Sequence, residues 1–486
     1  MVINMKILLI EPPKKFWFVM GEYLPPPYNL LLLAAVIEQQ LPDSTVKVID
    51  SQAENLDWFG LEEVIKREKP DIVGSGSHAT CNVYKTVRIL DMVKRVDPEI
   101  VTIAGGAHFT MMDEISLKEY RNIDLIVRYE GEKALIAVLT HVQQQGFAKE
   151  GLKSIKGISF IHNEKFYRTE DHPPLTGEEL DALPYPAYHM VPLEKYHFAM
   201  MSDNPYVILE GARGCTHDCS FCSQQVFYRR HFATKSVQRI ADEMEWMYDK
   251  LGRRFFWFAD DNFCNGSPKL IEALCKEMSS RGITGENSEW FAQMRVDSIL
   301  NVGNEGLARM NRAGNYWQLV GAESPFNEVL DLYQKGIEGS QTIEAIRLLK
   351  KNNILAQLML VLGHENETRE SIQETMRWAT DIVKPDLIIS MLLTPYPGTP
   401  MYEELLTKNR IVDFNWTNYD MIHGVCDMKF LSATELQEEL YLAYRHVFDS
   451  WKRRFAGILT RNKYKRRIYM YYMRAGVIGQ LKRLIP

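Results

Sequence analysis

Short apolar segments alternate with amphipathic segments of helical length in two separate blocks of this chain. In the first block, strand-like runs cover residues 5–10, 46–49, 72–74, 101–104 and 125–127. The second block contains six such units between residues 206 and 392. Strands that alternate with helices favour parallel sheets, whose ligand-binding loops lie at the carboxyl ends of the strands. We therefore expect an α/β protein with a doubly wound, Rossmann-like N-terminal domain and a partial (β/α)6 TIM-like barrel.

The chain has 486 residues, which is more than one ordinary core accommodates. Residues 1–150 are predicted to form the Rossmann-like domain, and residues 151–200, marked by prolines, a linker. The barrel is expected over residues 201–400. Residues 401–486 are predicted to form a helical, aromatic-rich subdomain that ends in a basic tail.

Charge and hydropathy exclude several classes of partner. The net charge of −6 argues against nucleic-acid binding by the whole protein. The longest apolar run, residues 30–37, is far shorter than the ~20 residues that span a bilayer, and no signal-peptide pattern is visible. We expect a cytoplasmic protein without a membrane span. The tail, residues 451–486, contains eleven Lys or Arg and no acidic residue. It is interpreted as a solvated helix face, with a contact to a protein or nucleic acid as the alternative.

Three of the seven cysteines, Cys215, Cys219 and Cys222, follow the first strand of the second block with Cys-x3-Cys-x2-Cys spacing. Closely spaced thiolates typically hold iron–sulfur clusters, and three ligands would leave one iron of a [4Fe–4S] cluster open. Zinc is the alternative, but a structural zinc site needs four ligands and no second cysteine pair exists. His217 would complete a zinc site only in a sterically awkward loop. The other cysteines are predicted to be plain buried thiols.

The cysteine motif, with Phe221 before its last cysteine, resembles that of the radical SAM superfamily. The resemblance implies S-adenosylmethionine (SAM) at the open iron, its reduction to a 5′-deoxyadenosyl radical, and an external electron donor of flavodoxin or ferredoxin type. It also implies SAM contacts at the ends of the next strands: Asp260 and Asp261 to the methionine amine, Arg295 to the carboxylate and Glu323 to the ribose. The alternatives are a solvated acidic pair and ordinary salt bridges. In the segment 362–368, Glu365 replaces the family's usual proline.

The N-terminal block resembles the cobalamin-binding domain that is fused to many radical SAM enzymes. The Asp-x-His-x-x-Gly motif that supplies a lower cobalt ligand does not occur in residues 1–200. Two histidines lie in suitable loops, although a lone loop histidine more often serves as a surface or hydrogen-bonding residue. A degenerate module without ligand is the alternative. The cobalamin contacts implied by the resemblance are Pro12, Ser75, Ser77, His78, Gly105, Gly106, His108, Glu130 and Gly131.

The combined resemblance covers residues 5–400 and implies a cobalamin-dependent radical SAM C-methyltransferase that acts on an unactivated carbon. A protein or peptide residue, as in methyl-coenzyme M reductase, is the most specific hypothesis for the substrate. One alternative keeps the cofactors but closes a ring, as in the anaerobic cyclase of bacteriochlorophyll synthesis. A non-catalytic cluster and cobalamin sensor is a second alternative, against which the ordered SAM-site positions argue.

Overall fold

The computed structural model describes residues 5–13, 23–77, 79–448, 459–471 and 473. Two parallel sheets dominate these residues. Within them, no helix is long and apolar enough to cross a membrane.

The described residues of the N-terminal part form nine strands and seven α-helices. The strands are β1 (Lys6–Glu11), β2 (Tyr23–Leu24), β3 (Thr45–Asp50), β4 (Ile72–Gly76), β5 (Val101–Gly105), β6 (Leu125–Val127), β7 (Ile158–His162), β8 (Lys165–Arg168) and β9 (His197–Phe198). The helices are α1 (Tyr28–Gln40), α2 (Trp58–Glu68), α3 (Val83–Val96), α4 (Ala107–Met111), α5 (Asp113–Glu119), α6 (Gly131–Gln145) and α7 (Gly177–Ala182).

The first sheet has the strand order β3-β1-β4-β5-β6-β7-β8, in which the first five strands are parallel. The continuous apolar run of β1 buries four successive residues, as expected for a strand covered on both faces. The hairpin β7–β8 adds two antiparallel strands next to β6. The N-terminal sheet therefore extends beyond residue 150, into the segment predicted as a linker.

The second part contains the remaining strands and helices. The strands are β10 (Tyr206–Leu209), β11 (Ala212–Gly214), β12 (Phe232–Thr234), β13 (Phe255–Phe258), β14 (Glu289–Arg295), β15 (Asn315–Glu323), β16 (Leu355–Leu362) and β17 (Leu387–Leu392). The helices are α8 (Ser223–Phe227), α9 (Val237–Asp249), α10 (Pro268–Ser280), α11 (Val296–Arg312), α12 (Asn327–Leu332), α13 (Gly339–Lys351), α14 (Arg369–Arg377), α15 (Pro400–Thr407) and α16 (Ala433–Phe448).

The second sheet runs in sequential order, β10-β13-β14-β15-β16-β17, and every adjacent pair is parallel. The α/β class and the six-unit alternation predicted from the sequence are thus confirmed. Helix α11 consists of two helical pieces joined at a kink, where Gly303 has φ +63°.

The carboxyl ends of the two sheets face each other. Gly398, after β17, approaches α4 so closely that a Cβ there would lie 2.8 Å from the sulfur of Met111. Trp416 packs edge-on against His108, with ring centroids 4.8 Å apart. Loops that leave both sheets at their carboxyl ends therefore meet. The region between these two ends, called the shared space below, is where ligands of such sheets bind.

The described part of the basic tail lies at the opposite end of the barrel. Lys465 pairs with Asp386, which precedes β17, at 2.7 Å, and Lys463 pairs with Glu289, the first residue of β14, at 3.3 Å. These acidic partners stand where barrel strands begin. Residues 459–471 are therefore anchored away from the shared space, and the rest of the tail lies outside the described residues.

Candidate functional site

The cysteine loop, residues 215–222, connects β11 to α8 at the carboxyl end of the barrel. Cys219 is buried, Cys215 and Cys222 are partly buried, and none of the three forms a disulfide. The loop begins after Gly214, whose φ is +76°. A Cβ at this glycine would lie 2.0 Å from the backbone oxygen of His231, so the chain can enter the loop only without a side chain here.

Backbone hydrogen bonds hold the cysteine loop against two distant segments. The Ser220 amide donates to the Tyr333 carbonyl at 3.0 Å, and the Met401 amide donates to the Ser220 carbonyl at 3.1 Å. The Phe221 ring packs edge-on against Tyr333, with centroids 5.2 Å apart. The aromatic residue before the last cysteine thus has a packing role in fixing the loop.

The thiols of the cysteine loop are held largely out of water. Burial raises the pKa of Cys222 to about 12 and also raises that of Cys215, although the positive charge of Arg295 opposes the shift at Cys215. Thiolates in such surroundings need a cation or a metal to stabilise them. Among the described residues, no three His, Cys, Asp or Glu side chains converge closely enough to hold one metal ion.

Asp260 and Asp261 follow β13 and support the segment that enters the cysteine loop. The buried Asp260 carboxylate accepts hydrogen bonds from the amides of Gly211 and Ala212, at 2.7 and 3.0 Å. The Gly214 amide favours the charged form of Asp261. Burial raises the pKa of each carboxyl to about 7, against the effect of these bonds. Their predicted contact with a methionine amine stays a prediction, and Asp261 is the less buried of the two.

Arg295, the last residue of β14, contacts the cysteine loop directly. Its Nη1 donates to the sulfur of Cys219 at 3.3 Å. Its Nε and Nη2 donate to the two carboxylate oxygens of Asp297, at 2.9 and 3.0 Å, and Nη2 also donates to the Lys335 carbonyl. The side chain predicted to bind the methionine carboxylate therefore has protein partners at all three nitrogens.

Glu323 ends β15 in a strained conformation. Its φ is +63°, which is uncommon for a residue with a side chain, and the register with β16 shifts at this position. The carboxylate accepts a hydrogen bond from the buried ammonium of Lys335 at 2.6 Å. Its predicted contact with a ribose stays a prediction. Strain of this kind clusters at functional sites, and Glu323 lies where a site was expected.

The glycine edge, residues 76–77 and 105–108, is the corresponding carboxyl end of the N-terminal sheet. Gly106 has φ +96°, and a Cβ there would lie 2.4 Å from the backbone oxygen of Ser77. The Ser77 hydroxyl donates to the Ala79 carbonyl at 2.6 Å, and the Ser75 hydroxyl donates to the Ile10 carbonyl at 2.8 Å. Both serine hydroxyls are thus used by the fold, and the edge presents backbone rather than side chains.

His108 is the one described histidine of the two proposed for this edge, since His78 lies outside the described residues. Its side chain is buried, and Nδ1 has no hydrogen-bond partner among the residues that the structure describes. Burial lowers its pKa to about 4, so the imidazole is neutral near pH 7. No local sequence pattern indicates that Trp416, far along the chain, packs against this ring.

The other predicted cobalamin contacts lie beside this edge. Pro12 is buried just after β1. Gly131 begins α6, and a Cβ there would lie 3.4 Å from the Leu33 side chain. Glu130 precedes α6, but one of its carboxylate oxygens accepts from the Leu175 amide at 2.8 Å and the other from an arginine. Glu130 therefore has a structural partner at each oxygen.

That arginine, Arg213, connects the two sheets and was missed by the sequence analysis. It lies on β11, two residues before the first cysteine. Its guanidinium pairs with Glu130 at 2.9 Å, with Glu132 at 2.8 Å and with Glu210 at 3.0 Å, and none of the four side chains is more than 12% exposed. The only signal in the sequence was its position next to the cysteine motif. Arg213 fixes the start of the cysteine loop to the carboxyl end of β6.

Comparison with known proteins places these features in a family. Residues 209–379 match the radical SAM superfamily, and residues 20–139 match the B12 binding domain. An uncharacterized methyltransferase of Pyrococcus horikoshii is 30% identical over 446 residues, which cover 90% of this chain and 92% of that protein. The anaerobic magnesium-protoporphyrin IX monomethyl ester cyclase of Rubrivivax gelatinosus is 31% identical over 88% of this chain and 74% of its own length.

Two solved structures have the same fold. The radical SAM methyltransferase TsrM of Kitasatospora setae, solved with cobalamin and a [4Fe–4S] cluster, has a TM-score of 0.67 and 18% identity, covering 84% of this chain and 78% of that one. The cobalamin-dependent SAM radical enzyme OxsB has a TM-score of 0.71 and 16% identity, covering 97% of this chain and 71% of that one. Together with the two domain matches and the long relatives, these similarities show that the chain belongs to the radical SAM superfamily, in the group that carries an N-terminal B12 binding domain.

Proposed function

We propose that this protein is a cobalamin-dependent radical SAM C-methyltransferase that acts on an unactivated carbon. The observation that carries the proposal is the shared space between the cysteine loop and the glycine edge, whose two sides are joined by Arg213. Two cofactors that must act on one substrate need such opposed sites. The methyltransferases among the relatives and structural neighbours support the same reaction class.

The residues at the cysteine loop fit a [4Fe–4S] cluster. Cys215, Cys219 and Cys222 offer three free thiols on one loop, and each would bind a different iron, so they need not converge on a single point. The fourth iron would be open to SAM. Asp261 and Glu323 stand at the ends of neighbouring strands and are the proposed SAM contacts, with Asp260 supporting the loop from behind.

The glycine edge fits a large flat ligand such as cobalamin. Gly106 lets the backbone after β5 pack directly against Ser77, so this edge presents backbone, and within the described residues His108 has a neutral ring nitrogen without a hydrogen-bond partner. We propose cobalamin contacts at Pro12, Ser75, Ser77, Gly105, Gly106, His108 and Gly131. The predicted contact at His78 lies outside the described residues. Glu130 is instead proposed to act on the fold through Arg213.

When bound, the cluster with SAM supplies a 5′-deoxyadenosyl radical, and cobalamin supplies a methyl group. The chain's own residues position these groups and keep water away. Buried contacts hold the cysteine loop at Ser220, and Trp416 covers the wall at His108. The electron would come from an external protein of flavodoxin or ferredoxin type.

A protein or peptide residue as substrate stays a prediction. The basic tail and the aromatic C-terminal region are compatible with such a substrate, but the described part of the tail is bound to the amino end of the barrel by Lys463 and Lys465. The described basic residues therefore do not line the shared space. A ring-closing reaction is a second candidate, supported by the similarity to magnesium-protoporphyrin cyclases.

The direct test incubates the purified, reduced protein with SAM and cobalamin and measures nucleoside products. A methyltransferase should form both 5′-deoxyadenosine and S-adenosylhomocysteine, and its product should gain one CH2. A ring-closing enzyme should form 5′-deoxyadenosine with a product that loses hydrogens or gains oxygen. Formation of neither nucleoside product would contradict both enzymatic functions.

A further inference from the structure

Arg295 is a buried cation that is aimed at a cluster ligand and fixed from behind. Its Nη1 lies 3.3 Å from the sulfur of Cys219, and its side chain is 6% exposed. The forked pairing with Asp297 engages Nε and Nη2 at the same time. A guanidinium bound through two parallel hydrogen bonds has little freedom to turn toward another partner.

The charged groups around Arg295 differ in their exposure to water and in their partners. Asp297 is one-third exposed, so its charge is partly screened by water, whereas the guanidinium and the Cys219 sulfur are buried. Lys335, whose carbonyl accepts a hydrogen bond from Nη2, pairs its own ammonium with Glu323. Among the described residues, Arg295 is therefore the cation that directly contacts a cysteine sulfur of the loop.

We propose that Arg295 is a positioning residue that sets the reduction potential of the cluster by holding its charge and an N–H donor against the Cys219 sulfur. The inference rests on the proposed function, because it needs a cluster on Cys219. In the one-electron reduction, a reduced flavin or iron–sulfur protein gives one electron to the cluster, and no bond to Arg295 forms or breaks. The added negative charge is stabilised by the nearby cation, and hydrogen bonds to the sulfurs and net charge are known determinants of such potentials.

Two substitutions should move the potential in opposite directions. Arg295→Gln removes the positive charge and should make the cluster harder to reduce. Asp297→Asn removes the opposing negative charge and leaves the arginine with its contacts to Cys219 and Lys335, so it should make the cluster easier to reduce. Arg295→Lys keeps the charge but loses the planar fork, and its shift should be smaller than that of the glutamine variant.

The experiment is a reductive titration of the anaerobically purified proteins without SAM, in which electron paramagnetic resonance measures the reduced cluster. For Arg295→Gln we expect at least a tenfold fall in the equilibrium constant for reduction, equivalent to 59 mV for one electron. Arg281→Gln is the matched control: it removes the same charge from an arginine that pairs with Asp242, Glu245 and Glu277, and it should leave the potential unchanged.

The proposal is overturned if Arg295→Gln keeps the wild-type potential, even if SAM then binds more weakly, since that result would make Arg295 a SAM contact only. The proposal is equally overturned if Asp297→Asn leaves the reduction potential unchanged or lowers it. This second variant tests the proposal even if Arg295→Gln loses its iron. A wild-type protein that binds no cluster would instead contradict the proposed function. The two failures are thus distinguished by the iron content of the unmodified protein.

Discussion

The cysteine loop and the glycine edge occupy facing ends of two sheets, yet they depend on different kinds of interaction. Around the cysteine loop, charged side chains contact one another, as Arg295 does with Asp297 and the Cys219 sulfur. At the glycine edge, Gly106 and Ser77 bring backbone against backbone, and the one buried titratable ring described there, His108, is neutral. Contacts between charged side chains organise the first region, and close packing of the backbone organises the second.

This difference indicates how each region should respond to change. A charged network fails when one partner is removed, because the others stay buried without compensation. A backbone surface fails when volume is added, because close-packed groups cannot move aside at low cost. Substitutions that delete charge should therefore act mainly at the cysteine loop and its connection to the N-terminal sheet, and substitutions that add atoms should act at the glycine edge.

The largest effect is expected for Cys219→Ala, which removes one of three proposed cluster ligands. The variant should lose the cluster and, with it, all formation of 5′-deoxyadenosine. The measurements are iron content, visible absorption and nucleoside analysis. Cys275→Ala, at a buried cysteine on α10, is the matched control and should keep its iron. A Cys219→Ala protein with the iron content and activity of the wild type would contradict the cluster assignment.

The next effect is expected for Arg213→Gln, which leaves three largely buried carboxylates without this cation. Removing one partner of a buried pair costs about 3–5 kcal/mol, and here Glu130, Glu132 and Glu210 all lose theirs. The free energy of unfolding from urea titration should fall by about that amount. Arg213→Lys should be less damaging, because the charge stays although the planar fork is lost.

The contribution of Arg213 to the distance between the two sites can be tested in the protein with both cofactors bound. If it fixes the distance between the two sites, pulsed paramagnetic resonance between cob(II)alamin and the reduced cluster should show a broader distance distribution in the Arg213→Lys variant. An unchanged distribution in a protein that is destabilised would mean that the arginine contributes to stability alone.

How much of these regions can be predicted from the sequence depends on how far apart the interacting residues lie along the chain. The strands and the cysteine spacing are local patterns, so they could be located without a structure. The contact of Arg295 with Cys219 joins residues 76 positions apart, and that of Arg213 with Glu132 joins residues 81 positions apart. No local pattern encodes which acid an arginine meets across a fold. The pairing of the hairpin β7–β8 with β6 is likewise a tertiary interaction, so no local pattern shows that this segment joins the N-terminal sheet.

The volume argument is tested by Gly106→Ala, with Gly146→Ala as the matched control. Both glycines have positive φ, but a Cβ at Gly146 meets nothing within 4 Å, whereas at Gly106 it would meet the Ser77 carbonyl. Strain alone should cost the control about 1 kcal/mol of unfolding free energy. The Gly106 variant should lose roughly 3 kcal/mol and retain less cobalamin. Equal losses in the two variants would show that the close approach has no consequence.

The smallest effect concerns the pH dependence of stability at His108. The folded ring takes a proton only near pH 4, whereas an unfolded histidine takes one near pH 6.5, so between these values the unfolded chain binds more protons. Stability must then fall as the pH falls, by about 2 kcal/mol between pH 7 and pH 5 from this residue. Asp260 and Asp261, whose pKa values are raised, act in the opposite sense and are common to both proteins. Comparison of wild type with His108→Gln cancels them. The variant should lack the 2 kcal/mol loss, and parallel pH profiles would instead mean that the buried ring accepts its proton as readily as one in water.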